Sequence, residues 1–454
     1  MKMKNVKRWG SLLFAIIMCF GLCACGASGD GKDAKKDGKI ELVWWSSYAS
    51  TNAEYINEML NKFNNSQDKY HATMLNQGSA AEVRTKLAAT KKENLPDMFS
   101  GTPITTGYFA SGSFIAPLQD FLDQDEDKWY DAIYDVVRTS YADKEGKAIG
   151  APIGVSCAGW FMNVDLLKKA GYSVDQMTNF EAIAQAATAN KNKNLAKYGI
   201  VFGGNGVDLF DTLTLQGVDI LDAGNGYAGE ATRCVINEGE TLEVLNKNMK
   251  IYGELYKNDV CMTYGSDTNG EKVPQFANGN LGFFYATNGY ANKIVGYQPE
   301  FEFTFVPSVP VDANGKYAGQ AISEGTGNYL CNTGNEEKMQ GAYELLKFLC
   351  QPENMAYFAS NTGYIPYTDE GYNQEVYQTW MKENFPAAEK VKEMLLNSDK
   401  NLRGPYTTIS NALMTACSTL YSDVALNPDS NYSEFIKAAV ETVDEALEIE
   451  ALRR

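Results

Sequence analysis

The chain has 454 residues, enough for two to four domains or for one large two-lobed unit. Hydrophobic residues make up 44% and charged residues 21%, a globular balance that excludes a disordered, collagen-like or multi-pass membrane chain. Acidic residues outnumber basic ones by 57 to 40, and the net charge of -17 argues against a nucleic-acid partner, because phosphate backbones would be repelled.

The N-terminus has the pattern of a bacterial export signal. Four basic residues precede an apolar run at 11–22, which is too short to cross a bilayer core of about 30 Å comfortably. The run ends in LCACG at 22–26, which resembles a lipobox; an ordinary signal peptide with chance cysteines is the alternative. We therefore expect a lipoprotein signal peptide at 1–24, a lipidated Cys25 and a flexible charged tether at 25–39. The body would then lie on the extracellular face of the bacterial cell membrane, held there by lipid.

The mature chain opens with alternating strands and helices. Residues 40–45 (IELVWW) predict a strand, and apolar residues at helical spacing predict a helix over 52–65. A second strand follows at 70–75, and Ser79 with Glu82 forms a capping box that begins the next helix. This order predicts an α/β fold with a parallel sheet.

Further elements follow the same periodicities. Helices are predicted at 163–170, 180–190, 240–256, 338–350, 353–360 and 433–452, and strands at 199–202, 281–285 and 301–306.

Nine cysteines occur, and six of them lie in the body without CxxC or zinc-like spacing. Such cysteines are usually small buried apolar residues. A disulfide between Cys234 and Cys261 stays open at this stage.

Local catalytic or cofactor motifs are weak. Residues 224–229 fit GxGxxG, but the sequence after them looks extended rather than helical, so no dinucleotide site is expected. The aspartates of 123–127 imitate the start of a calcium loop, yet Lys128 occupies the position of the turn glycine. The single histidine, His71, lies in a predicted strand and is expected to be structural. We expect no cofactor, no metal and no catalytic residue.

Aromatic residues form 12% of the chain, and many stand beside small polar residues. Examples are the WWSSY run at 44–48, Trp160, Tyr290 and Tyr364. Rings next to Asn, Ser and Asp suit a sugar or polyol, since ring faces cover C–H groups while amides and carboxylates take hydroxyls. Most of these aromatic residues must nevertheless belong to the core.

Several segments, in order along the chain, resemble the extracellular solute-binding protein family 1, the sugar-binding lipoproteins of ABC importers. They are LVWWSSY at 42–48, 76–97, GSFIAPLQDFL at 112–122, 146–171, PQFANGNLGFFYATNG at 274–289, FTFVPSVP at 303–310, 342–366 and LRGPY at 402–406. The resemblance implies a two-lobed periplasmic-binding-protein fold (type II, Venus-flytrap) with the ligand cleft between the lobes. The implied N-lobe is 40–151 plus 303–345, and the implied C-lobe is 152–302 plus 346–454.

Within the family, the TGYIP and LRG pair is most similar to the binders of glycerol 3-phosphate and glycerophosphodiesters. The resemblance implies that Tyr364, Arg403 and Ser156 contact ligand. The chain departs from those binders at Thr102, where they carry a glutamate, and at 203–206, where they carry tryptophans. The substrate of those binders therefore cannot be assigned to this chain.

The function implied is capture of a carbohydrate by hinge closure and delivery to an ABC permease, by a protein expected to be a monomer and not an enzyme. Glycerol 3-phosphate or a glycerophosphodiester is the alternative ligand, and a secreted glycosidase and an adhesin are the competing classes. Ser46, Tyr48 and Gln77 follow strand ends, where open α/β sheets place ligands. The full set of candidate contacts is Trp44, Ser46, Tyr48, Gln77, Ser156, Trp160, Asn288, Tyr290, Glu324, Tyr364 and Arg403.

Overall fold

A computed structural model describes residues 35–36, 38–48, 50–202, 212–262, 270–307, 324–397 and 404–453. Its strands are Lys35–Lys36 (β1), Lys39–Ser46 (β2), Tyr70–Asn76 (β3), Met98–Gly101 (β4), Ile115–Ala116 (β5), Gly150–Ser156 (β6), Ala158–Asn163 (β7), Tyr198–Val201 (β8), Leu281–Thr287 (β9), Phe303–Pro307 (β10) and Glu324–Cys331 (β11).

The helices before residue 300 are Ser50–Ser66, Ala80–Ala89, Thr106–Ala110, Leu118–Leu122, Asp135–Ser140, Val164–Ala170, Phe180–Asn192, Asp222–Asn225, Gly239–Lys257, Lys272–Ala277 and Ala291–Gly296. Those after it are Glu336–Leu349, Pro352–Thr362, Asp369–Tyr372, Glu375–Asn384, Ala388–Asn397, Ser410–Leu426 and Ser433–Ala451.

The first sheet has β2 and β11 near its centre. Strand β2 pairs in parallel with β3 and β4, while β11 pairs antiparallel with β4, β5 and β6. Alternate residues of β2, from Ile40 through Leu42 to Trp44, are buried, as the period of two in a strand requires. The expected opening order of strand, helix, strand and helix is confirmed, and so is the capping box of Ser79 and Glu82.

The second sheet has the order β10-β7-β9-β8 and a hydrophobic core of its own. Strand β10 pairs antiparallel with β7 from Phe303↔Asn163 to Pro307↔Gly159. The implied N-lobe includes 303–345, but β10, at the start of that segment, belongs to the second sheet. An apolar run shows that a strand forms, but only backbone pairing shows which sheet it joins.

Several weak motifs have plain structural roles. Residues 224–229 contain left-handed turns instead of a strand-to-helix junction, with Gly224 at φ 59° and Gly226 at φ 86°. His71 lies beside Glu41 on the neighbouring strand, with Nδ1 3.2 Å from the carboxylate oxygen. The Asp125 carboxylate accepts a hydrogen bond from Lys347 at 2.7 Å and is part of a partly buried ion pair.

All six body cysteines, including Cys234 and Cys261, are buried, and no disulfide joins any of them in the described part of the chain. No group of three or more His, Cys, Asp or Glu side chains in the described part of the chain is arranged to hold a metal ion. No helix in the described ranges combines the length and the apolar character needed to span a membrane.

Candidate ligand-binding site

The chain passes from the first sheet to the second between Ser156, the last residue of β6, and Ala158, the first of β7. Asn288 ties this crossing point together. Its Oδ1 accepts a hydrogen bond from the Cys157 backbone N–H at 2.7 Å, and its Nδ2 donates to the Gly363 carbonyl at 2.7 Å. The backbone N–H of Asn288 also donates to the Cys157 carbonyl at 3.1 Å.

Two backbone hydrogen bonds between Val155 and Ile365 also hold the crossing point together. The Ile365 N–H donates to the Val155 carbonyl at 2.8 Å, and the Val155 N–H donates back to Ile365 at 3.4 Å. Three segments that are distant in sequence therefore meet where the two sheets join. A cleft between the lobes would have its floor here.

Three aromatic rings gather beside this crossing point. Tyr364 stacks on Phe358 with ring centroids 5.5 Å apart, and Tyr48 meets the same Phe358 edge to face at 6.0 Å. The Tyr48 hydroxyl donates to the Thr326 carbonyl of β11 at 3.2 Å. Burial, together with the neighbouring Tyr364, raises the pKa of Tyr48 far above its usual value, so this hydroxyl stays protonated.

Two glycines leave room around the Tyr364 side chain. A Cβ atom added to Gly154 would lie 3.0 Å from the Tyr364 Cβ, and one added to Gly289 would lie 3.4 Å from its ring. Tyr364 is half-buried, and so part of this aromatic surface is accessible to a solute.

Polar residues from the predicted set border the same region. Ser156 lies directly opposite Glu324 in the β6–β11 register. The backbone N–H of Gln77 donates to the Ser46 carbonyl at 2.8 Å, which joins the carboxyl ends of β2 and β3. The structure thus brings Ser46, Tyr48 and Gln77 to one edge of the first sheet, as expected from the strand order.

Four of the predicted contacts, Ser46, Ser156, Trp44 and Asn288, are almost fully buried, and the last two have their side-chain polar groups paired inside the protein. Trp44 is fully buried, and its indole N–H donates to the Ser100 hydroxyl at 3.1 Å, so it belongs to the core. Asn288 is also fully buried, and its amide is used in the crossing-point bonds. Both lie beside small polar residues in the sequence. That pattern does not distinguish a residue that bonds inside the protein from one that contacts a ligand.

Trp160 lies elsewhere, in the core of the second sheet. It stacks on Phe180 at 5.9 Å and packs edge to face against Tyr285 at 4.9 Å. Its aromatic neighbours line a cavity between the second sheet and the helices Phe180–Asn192 and Gly239–Lys257. Trp160 is therefore separate from the Tyr48 and Tyr364 cluster.

Tyr290 is half-buried next to the crossing point, and two lysines flank its ring. The ammonium of Lys272 lies 5.0 Å and that of Lys293 lies 4.8 Å from its centroid. Burial and the nearby charge of Lys272 lower the pKa of Lys293.

Two members of the predicted set, Arg403 and the lipidation residue Cys25, lie outside the described residues. Phe358 was missed, because its helical context reads as ordinary core. Phe358 is itself fully buried, so it supports the Tyr48 and Tyr364 rings from the core.

This architecture of two α/β lobes joined at a crossing point is that of the two-domain periplasmic solute-binding proteins, as expected. Residues 58–387 match the family described as bacterial extracellular solute-binding protein, and the chain belongs to that family. It is a substrate-binding protein of the kind that serves ABC importers.

Among the relatives, the sn-glycerol-3-phosphate-binding periplasmic protein UgpB of Yersinia pestis is 25% identical over 362 residues. The match covers 79% of this chain and 80% of that protein.

Solved structures share the fold at lower identity. UgpB from Mycobacterium tuberculosis, in complex with glycerophosphocholine, superposes with a TM-score of 0.74 at 16% identity, covering 91% of this chain and 100% of that one. The sugar-binding protein MalE from Xanthomonas citri gives a TM-score of 0.73 at 17% identity, covering 91% and 98%. The relatives thus include binders of both sugars and glycerophosphate compounds.

Proposed function

We propose that this protein is a lipid-anchored extracellular receptor that captures a carbohydrate between its lobes and presents it to the transmembrane subunits of an ABC permease. It acts as a monomer and performs no chemistry on the solute. The observation that carries the proposal is the half-buried Tyr364 ring, stacked on Phe358 beside the crossing point.

The chemistry of this place suits a sugar. Aromatic faces cover the C–H groups of a pyranose, while hydroxyl, carboxylate and backbone groups take its hydroxyls. A solute that touches both lobes has higher affinity for the closed form, and it closes the protein only by that difference.

Glycerol 3-phosphate or a glycerophosphodiester is the second candidate. It is favoured by the similarity to the sn-glycerol-3-phosphate-binding protein of Yersinia pestis and to the glycerophosphocholine complex of UgpB from Mycobacterium tuberculosis. If the ligand is of this kind, Arg403→Ala should weaken binding by about 1.5–3 kcal/mol, the range for a lost charge-assisted hydrogen bond. Unchanged affinity for the best ligand would remove Arg403 from the site and leave the neutral sugar favoured.

A thermal-shift screen over sugars, polyols and glycerophosphodiesters identifies the ligand class, because a ligand at 100 times its Kd stabilises by about 2.7 kcal/mol. Calorimetry then compares wild type with Tyr364→Ala. We expect at least about a tenfold loss of affinity, since stacking on an aromatic ring contributes about 1 kcal/mol or more beyond area burial. Tyr297→Ala is the matched control, since Tyr297 is 53% exposed. Equal affinity in all three proteins would exclude the Tyr364 surface as the binding site.

Small-angle scattering and mass analysis test the mechanism. Saturating ligand should reduce the radius of gyration, and the ligand should be recovered intact. Hydrolysed product would assign the protein to the glycosidases, and binding to immobilised polymer without closure would assign it to the adhesins.

The lipid anchor is tested separately. Cys25→Ala should release the protein into the medium or leave it unprocessed, because the thioether bond to lipid cannot form. Cys157→Ala is the control, because Cys157 is a buried body thiol and should leave detergent-phase partitioning unchanged. Unaltered partitioning of the Cys25 variant would refute a lipobox at this position.

A further inference from the structure

Arg84 is a buried cation with no acidic partner among the described residues. The residue is 6% exposed, on the inward face of helix Ala80–Ala89. Its Nη1 lies 3.5 Å from the Ser410 hydroxyl, and its guanidinium carbon lies 5.8 Å from the centroid of the Tyr108 ring. No carboxylate of the described residues forms an ion pair with it, although the chain carries 57 acidic residues.

An uncompensated guanidinium is costly in such a place. Arginine keeps its proton in proteins, so burial cannot neutralise it as it can a lysine. It carries five N–H donors, and within the described part of the chain a single weak hydrogen bond, to Ser410, occupies one of them.

The N-terminus of a helix lies opposite Arg84 and carries positive charge as well. Ser410 begins the 17-residue helix Ser410–Leu426, which has no side-chain cap and no acidic residue in its first turn. The N-terminus of a helix carries roughly half a positive charge and unpaired backbone N–H groups. Two positive ends thus converge from different parts of the fold, an arrangement that an anion between them would stabilise.

A small cavity opens between these two groups. The described residues that line it have hydroxyl, amide, guanidinium and apolar side chains and no carboxylate: Arg84, Thr85, Ala88, Tyr108, Thr408, Ser410 and Asn411.

We propose that this cavity is an anion subsite that takes a small oxyanion, a phosphate ion or the phosphate group of an organic ester, between Arg84 and the N-terminus of helix Ser410–Leu426. The planar fork of Arg84 can pair with two phosphate oxygens. The first-turn N–H groups of the helix donate to the others.

The bound anion also joins the two halves of the fold. Arg84 belongs to the helices around the first sheet, whereas helix Ser410–Leu426 packs in the core of the second. An oxyanion held by both favours the conformation in which they touch.

The first test measures inorganic phosphate binding by calorimetry and thermal shift at matched ionic strength, with sodium chloride as the comparison salt. Arg84→Met keeps the length of the side chain and removes its charge, and it should weaken phosphate binding about 10- to 100-fold, as for a lost charge-assisted hydrogen bond. Lys382→Met, on an exposed helix position, removes the same charge elsewhere and should bind like wild type. Equal phosphate affinity in wild type and Arg84→Met would overturn the proposal.

A second variant keeps the test decisive if Arg84→Met does not fold. Ser410→Asp supplies a carboxylate at the helix N-terminus, where it can pair with Arg84. It should raise the melting temperature without phosphate and abolish the further rise with phosphate. A variant that melts lower than wild type and still responds to phosphate contradicts an anion site here.

Comparison of phosphate with glycerol 3-phosphate assigns the source of the oxyanion. Equal affinity assigns the subsite to the free ion. Tighter binding of the ester that falls in both Arg84→Met and Tyr364→Ala assigns it to a captured solute. The subsite and the proposed function can fail separately, because a neutral sugar should bind Arg84→Met as well as wild type whether or not phosphate binds.

Discussion

The crossing point around Asn288 and the junction between Arg84 and Ser410 are two buried polar contacts between distant segments, and they differ in how completely their groups are paired. At the crossing point both ends of the Asn288 amide bond backbone groups at 2.7 Å. At the junction the Arg84 guanidinium has, among the described residues, one hydrogen bond at 3.5 Å, and it faces the N-terminus of helix Ser410–Leu426.

This difference in pairing distinguishes buried polar groups that stabilise the fold from buried polar groups that bind a ligand. A buried polar group whose partners are all protein atoms stabilises one arrangement of the chain. A buried charge without its counter-charge is costly, and such groups concentrate where ligands bind. Substitution at the first kind of place should therefore change stability, and substitution at the second should change binding.

Trp44 belongs to the structural class and should show the largest loss of stability. Trp44→Ala removes a fully buried ring and its bond to Ser100, and it should lower the free energy of unfolding by about 3–5 kcal/mol. Urea denaturation followed by circular dichroism measures the change. Trp45→Ala, half-buried on the other face of the same strand, is the control and should cost less. If both variants lost the same unfolding free energy, burial of Trp44 would not explain its contribution to stability.

Asn288→Ala should have the next largest effect. It leaves the Cys157 N–H and the Gly363 carbonyl without partners, and each buried unpaired group costs about 1–3 kcal/mol. We expect the free energy of unfolding to fall by about 2–4 kcal/mol in the same assay. Asn280→Ala, at an exposed position, should change it little. Normal stability with a large loss of ligand affinity would reverse our correction and return Asn288 to the binding residues.

A surface contact between distant segments should show the smallest effect. Asp369 accepts hydrogen bonds from Lys392 at 3.0 Å and from the Tyr134 hydroxyl at 2.9 Å, and these hold its pKa below the usual value. The resulting stabilisation is present above the unfolded-state pKa of about 3.9 and is lost as pH falls through the lower folded-state value. Because Asp369 is mostly exposed, the contribution is under about 1 kcal/mol.

The measurement compares wild type with Asp369→Asn in urea denaturation from pH 7 to pH 2.5. The difference in unfolding free energy should be constant at neutral pH and vanish at the acid end. A difference that persists at pH 2.5 would show that shape and not charge makes this contact. Glu126→Gln, at an exposed position, controls for the general loss of one negative charge.

The sequence by itself determined the family, the alternation of strands and helices at the start of the body, and the capped start of helix Ala80–Ala89, because these depend on local periodicity and on ordered motifs. It also placed Ser46, Tyr48 and Gln77 at one sheet edge, since parallel strands end together. Those inferences need only neighbours in the chain.

Only the tertiary structure decided which sheet β10 joins and whether Trp44 and Asn288 face solvent or core. Only the tertiary structure showed that Arg84, an ordinary helical residue in the sequence, meets the helix that starts at Ser410. Burial and charge pairing depend on contacts between residues hundreds of positions apart. The residues next to Arg84 in the sequence therefore do not show that it meets Ser410, or that no described carboxylate pairs with it.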